Sequence, residues 1–187
     1  MKRRAILLFF CSLFVFHLPA SSLSVRGIEF LSGWINGKVK EKGSLNGMPF
    51  LVAFNFDSTP VQEKLSLDLK GQLDFVVEPG ATIMFDPEAN AEIFTNFLMK
   101  YTFPWGEKFK VYIKGGAGMI YMTMPTREQG TQFNFTPQVG MGFHWFFNEK
   151  KAMTIEYRRR HLSNAGFDQP NKGIDVDMVL AGIASFF

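Results

Sequence analysis

The sequence predicts an all-β protein, a single eight-stranded antiparallel transmembrane β-barrel of the outer-membrane type. Three observations carry this prediction. Lys2, Arg3 and Arg4 precede an apolar run over residues 5–18, and small residues follow at Ala20, Ser21 and Ser22, the pattern of an export signal. Beyond that segment no uninterrupted apolar run is long enough for a membrane helix. The rest of the chain alternates apolar and polar residues with period two. The alternating runs reach about ten residues, which is what a tilted strand needs to cross a bilayer. Residues 1–20 are therefore expected to be removed, with cleavage near 20–22, leaving residues 23–187 as one barrel domain.

Composition narrows the chemistry. The one cysteine, Cys11, lies inside the signal, so the remaining chain has no disulfide, thiol nucleophile or Cys-based metal site. His144 and His161 are the only imidazoles outside the signal, and no cluster has metal-ligand spacing, so no metal and no cofactor is expected. A formal charge of +3 argues against a nucleic-acid partner. Twenty-two phenylalanines among 187 residues, with 17 glycines and no helical periodicity, suit a lipid-facing barrel.

The strands can be taken in order. The first, roughly 26–38, alternates loosely, and the second carries Phe50, Val52, Phe54 and Phe56 on one face. The third reads from Leu65, Leu67 and Leu69 on to Leu73, Phe75 and Val77. In the fourth, Ile93, Thr95, Phe97, Met99 and Tyr101 oppose Glu92, Asn96, Lys100 and Thr102. In the fifth, Phe109, Val111, Ile113, Ala117, Met119 and Tyr121 oppose Lys110, Lys114, Gly116 and Gly118. The sixth is the cleanest: Phe133, Phe135, Pro137, Val139, Met141, Phe143, Trp145 and Phe147 share one face. Residues 152–163 and 174–187 complete eight strands, a number whose barrel interior is just filled by side chains. Short connections at 104–107 and 148–151 and longer ones at 38–47, 78–90, 123–131 and 164–173 put both termini on the periplasmic side. A helical turn is expected within 86–92, with Pro87 at its start. The terminal Phe187, after alternating apolar residues, suits an assembly signal of outer-membrane proteins.

Parity then selects a candidate site. On the seventh strand Met153, Ile155, Tyr157, Arg159, His161 and Ser163 share one face, and Thr154, Glu156, Arg158 and Arg160 share the other. The first set begins apolar and so faces lipid; the second is charged and faces the lumen, where Glu156 is the expected partner of both arginines. Asp175 shares its parity with Val179, Ala181 and Ile183 on the eighth strand. A histidine, a serine and a carboxylate thus fall on the lipid-facing wall near the outer rim. Polar groups are costly there. A serine is a weak nucleophile until a neighbouring base takes its proton and a third group orients that base. His-x-Ser alone is a weak signal; its placement on this wall raises it. Arg159 is the headgroup candidate, and Lys38, Lys40, Lys42, Arg127 and Lys172 in the loops suit anionic lipopolysaccharide. His144 has lumen parity and is expected to be a hydrogen-bonded interior residue.

The stretch HLSNAGFDQPNKGID, with its pattern H-x-S-N-A-G…P-N-x-G-I, resembles the active-site hairpin of the lipid A 3-O-deacylase (PagL) family. KVYIKGGAGMIYM and TQFNFTPQVGMGFHWF resemble the preceding strands of that family, and the likeness runs from about Phe75 onward. The resemblance implies an eight-stranded outer-membrane barrel that hydrolyses the ester-linked acyl chain at the 3-position of lipid A. It implies His161 as base, Ser163 as nucleophile and Asn164 as an oxyanion donor, with Gly166 and Asn171 in the same substrate-positioning loop. Asp175 stands where the family commonly has Glu, roughly 1.5 Å shorter in reach. Asp168 and Asp177 are the other candidates for the acid. The expected partners are lipid A or lipopolysaccharide as substrate and the surrounding outer-membrane lipid, and a homodimer is allowed. The alternative is a non-enzymatic small barrel of the OmpX type, structural or adhesive.

Overall fold

The computed structural model describes residues 24–40 and 42–187; the expected signal segment lies outside the described residues. Strands β1 (Val25–Val39), β2 (Gly43–Asp57), β3 (Gln72–Asp86), β4 (Asn90–Thr102), β5 (Phe109–Met122), β6 (Phe133–Phe135), β7 (Gln138–Phe146), β8 (Lys151–Leu162) and β9 (Ile174–Phe186) pair antiparallel with their neighbours. Pairing of β1 with β9 and of β4 with β5 leaves no free edge, so the sheet closes into a barrel. β6 and β7 are two parts of one stave. Both pair with β5 in a single register, from Phe135 opposite Met119 to Gln138 opposite Gly116. Pro137, which has no N–H to give a ladder, falls between them. The barrel therefore has eight staves. No helix among the described residues is long and apolar enough to cross a membrane.

The sequence reading misplaces three connections. Leu65, Leu67 and Leu69 are not part of the third strand. They follow a short helix, α1 (Thr59–Lys64), in the 58–71 connection, and all three are exposed. Pro60 opens α1, and Ser66 with φ 54° ends the turn that follows. Three alternating leucines read locally as a strand, but the first ladder partner of β3 is Gln72, opposite Thr102. The third strand is thus displaced toward Asp86, and the loop expected at 78–90 becomes a bend over 87–89. No helical turn forms at Pro87. Glu78 and Pro79 drop out of the pairing with β2 yet still pair with β4, so the proline interrupts only one ladder. The loop expected at 38–47 shrinks likewise, because β1 continues to Val39 and β2 starts at Gly43. Long connections survive at 123–132 and 163–173, at the barrel end opposite the chain's described ends.

The parity reading holds around the wall. Phe50, Val139, Met141, Trp145, Tyr157, Val179 and Ile183 face outward, while Glu156, Arg158 and Arg160 are buried inside. The interior has two zones. Toward the site-bearing end it is apolar: Ile35, Val39, Leu45, Met84, Phe94, Ile120, Met122, Leu162, Ile174 and Met178 form one cluster. Below lies a charged layer. Arg158 is hydrogen-bonded to Glu78 and Glu156, and Lys114 lies 2.8 Å from Glu156 and 3.4 Å from Glu78. Two cations meeting two carboxylates cancel charge where water cannot. Arg160 pairs with Glu92 at 2.9 Å rather than with the expected Glu156. Lys100 pairs with Glu29 at 2.8 Å. His144 is buried, with Nδ1 2.9 Å from Thr154 Oγ1 and its ring stacked on Tyr112.

Candidate active site

β8 and β9 pair so that His161 stands opposite Asp175 and Arg159 opposite Asp177. Directly opposed residues on one face bring their side chains together. The result is a hydrogen bond of 2.7 Å between His161 Nδ1 and Asp175 Oδ1. The shorter acid therefore reaches the imidazole without help from the loop, because register places the two residues face to face. Arg159 donates to the other carboxylate oxygen of Asp175 at 3.3 Å and to Asp177 at 3.1 Å. Tyr157 donates to Asp177 at 2.6 Å. Asp177 is thus held by Arg159 and Tyr157. Asp168, in the loop, accepts the N–H of Gln169. Neither meets the imidazole.

Ser163 lies one residue beyond β8 and still bridges to Phe135, with backbone bonds of 2.8 and 3.0 Å. That pairing keeps it on the strand and on the same outward face as His161. Its hydroxyl donates to Asn171 Oδ1 at 3.2 Å, and the Ala165 N–H donates to the hydroxyl oxygen at 3.3 Å. Among the described residues the hydroxyl is not hydrogen-bonded to His161. Beyond Ser163 the chain turns through Ala165 (φ 55°) and Gly166 (φ 81°).

Asn164 sits differently from the sequence expectation. It is fully buried, and its amide donates to the carbonyls of Asp168 and Pro170 while accepting the Gly166 N–H at 2.9 Å. The turn points its side chain into the loop, so the amide tethers the hairpin and does not face the serine. Asn171 takes the neighbouring place, since its Oδ1 also accepts the Asn164 N–H at 3.0 Å.

Two residues the sequence reading passed over belong to this region. Gly173 has φ 74°, and a Cβ there would lie 2.4 Å from His161 Cε1 and 2.8 Å from Nε2. The imidazole rests against this glycine. Gln129, from the 123–132 connection, is buried and reaches the backbone beside Ser163. The motif contains Gly173, but nothing in it says that the ring lies there. Gln129 gives no signal at all, because its link to the site spans more than thirty residues of sequence. No group of acidic, His or Cys side chains suited to a metal occurs among the described residues. A cavity of about 1280 Å³, lined in part by Arg26, Gln62, Lys110, His144 and Phe186, opens at the other end of the barrel and touches none of these residues.

Fold and site together define a small outer-membrane-type barrel with a histidine–carboxylate pair and a serine on its outward wall. The chain belongs to the lipid A 3-O-deacylase (PagL) family, whose sequence profile matches residues 50–184. No curated protein matches it significantly. Among solved structures it is similar to the Neisserial surface protein A (NspA), with a TM-score of 0.65 at 12% identity, covering 88% of this chain and 99% of that one. It is also similar to the outer membrane enzyme PagL, with a TM-score of 0.59 at 20% identity, covering 82% and 97%. At such identities these two likenesses establish the fold alone.

Proposed function

We propose that the protein is an outer-membrane lipid A deacylase that hydrolyses the ester-linked 3-position acyl chain by a serine mechanism. The family membership supports the substrate class. The observation that carries the mechanism is the 2.7 Å His161–Asp175 bond on the outward wall, with Ser163 next along the same face. A catalytic set on that wall meets a substrate embedded in the leaflet, and the site-bearing end is the outer one.

With Nδ1 bound to Asp175, the other ring nitrogen of His161 is the one left for the serine. Ser163 Oγ turns from Asn171 toward Nε2, gives up its proton there and attacks the ester carbonyl. Catalytic hydrogen bonds that are absent or long without substrate commonly form in the complex. Asp175 holds the imidazole tautomer and supports the imidazolium. The Ala165 N–H, which donates to the seryl oxygen, is the donor placed to meet the developing oxyanion, while Asn171 presents its acceptor oxygen to the hydroxyl. One such donor is worth about 3–4 kcal/mol. Collapse of the tetrahedral intermediate sends the Nε2 proton to the leaving sugar oxygen. Water, deprotonated by the same nitrogen, then cleaves the acyl-enzyme and regenerates the serine. Arg159 holds the second oxygen of Asp175 and presents positive charge toward the headgroup region.

The test is mass spectrometry of lipid A from cells expressing the wild type or Ser163→Ala. The wild type should release 3-hydroxy fatty acid and leave a lighter lipid A, and the variant should not. Release by Ser163→Ala at the wild-type rate would overturn the mechanism. An unchanged lipid A with folded wild type would favour a non-enzymatic barrel.

A further inference from the structure

The 123–132 connection is stitched to the hairpin that carries Ser163. Gln129 forms an antiparallel bridge with Asn171. On either side of it the Gly130 N–H donates to the Pro170 carbonyl at 2.7 Å, and the Lys172 N–H donates to the Glu128 carbonyl at 2.9 Å. Glu128 also accepts the Lys40 N–H at 2.6 Å, tying in the β1–β2 turn. The side chain of Gln129 goes further. Its Oε1 accepts the Asn164 N–H at 3.2 Å, and its Nε2 donates to the Leu162 carbonyl at 3.5 Å. Leu162 and Asn164 are the two chain neighbours of Ser163. The same residue therefore pairs by its backbone with Asn171, which receives the seryl hydroxyl, and grips by its side chain the peptides flanking the serine.

We infer that Gln129 is a positioning residue for the nucleophile: it fixes the backbone on both sides of Ser163 and sets Asn171 against the hydroxyl. This rests on the deacylase reading above. The physical reason for needing such a brace is local. Ser163 stands where β8 ends and its chain turns through positive φ at Ala165, so the strand ladder alone secures only one side of it. The Asn164 N–H would otherwise share a single acceptor, Asn171 Oδ1, with the seryl hydroxyl. Gln129 Oε1 supplies a second acceptor and leaves Asn171 free to follow the serine. The side chain is buried, so water does not replace it readily.

The experiment uses the full chain in detergent micelles with lipid A, comparing wild type with Gln129→Leu, Gln129→Asn and Gln129→Glu. Fatty-acid release gives kcat and KM, and labelling of the serine by a fluorophosphonate reads nucleophile geometry without lipid A. Gln129→Leu removes both bonds. A serine displaced by about 1 Å loses about 10²-fold in kcat, and KM should stay unchanged because the wall that binds lipid is intact. Labelling should slow in parallel. Gln129→Glu keeps the acceptor for the Asn164 N–H but sets a second oxygen against the Leu162 carbonyl, so its kcat should fall between those of Gln129→Leu and the wild type. Should Gln129→Leu fail to give the compact barrel band in gel electrophoresis, Gln129→Asn, which lacks only reach, carries the same expectation. A kcat within twofold of wild type in both Leu and Asn variants would overturn the inference, as would a change confined to KM. Wild type that neither labels at Ser163 nor releases fatty acid would instead remove the underlying deacylase reading.

Discussion

Replacing Gly173 by alanine tests the proposed role and the placement of the His161 imidazole more sharply than deleting it does. The added Cβ would lie 2.4 Å from His161 Cε1 and 2.8 Å from Nε2. Carbon atoms rest at about 3.5–4.0 Å, so the ring must retreat by at least about 1 Å. Its other edge is held by Asp175 at 2.7 Å, so the retreat lengthens that bond or swings Nε2 away from Ser163. A shift of about 1 Å costs on the order of 10²-fold in rate, equivalent to about 2.7 kcal/mol of barrier. Alanine at φ 74° adds strain of about 1–2 kcal/mol to a residue outside every strand. The barrel ladders are untouched. The assay is fatty-acid release from lipid A in micelles, beside the thermal transition and gel mobility of the barrel. The expected outcome is a normal folded band, a small loss of stability and a rate about 10²-fold lower. A Gly173→Ala protein with the wild-type rate would refute the argument, because the ring could then do its work from another position.

The other expectations concern the acid and the interior. Asp175→Ala should leave expression and folding intact and lower kcat by about 10⁴-fold, read by the same release assay. A loss of less than about threefold would remove Asp175 from the mechanism. Asp175→Glu, which installs the residue common in the family, should lower the rate by about tenfold. The shorter acid already meets His161 at 2.7 Å, and an extra methylene overshoots. Arg158→Ala leaves Glu78 and Glu156 in the interior with only Lys114 to offset them. It should destabilise the barrel by about 3–5 kcal/mol in a urea or thermal unfolding measurement while the outward site keeps its geometry.

What the sequence alone determined follows from period two. Alternation assigns each residue to a face, and a closed barrel has only two faces. His161, Ser163, Arg159 and Asp175 could thus be put outside, and Glu156, Arg158 and Arg160 inside, before any coordinates. The number of staves was legible for the same reason. Where a strand ends is not a periodic property. Three leucines after α1 continue the alternation without a ladder partner, and Pro79 looks like a turn although one neighbour still pairs with it. Register is likewise invisible to a single strand. That His161 faces Asp175 while Arg160 faces away to Glu92 depends on how β8 slides against β9 and on which staves stand across the lumen. The direction of the Asn164 amide, the glycine beneath the imidazole and the reach of Gln129 to Ser163 arise only once distant segments are brought together. Local periodicity sets the face of a side chain; closure of the sheet sets its neighbour.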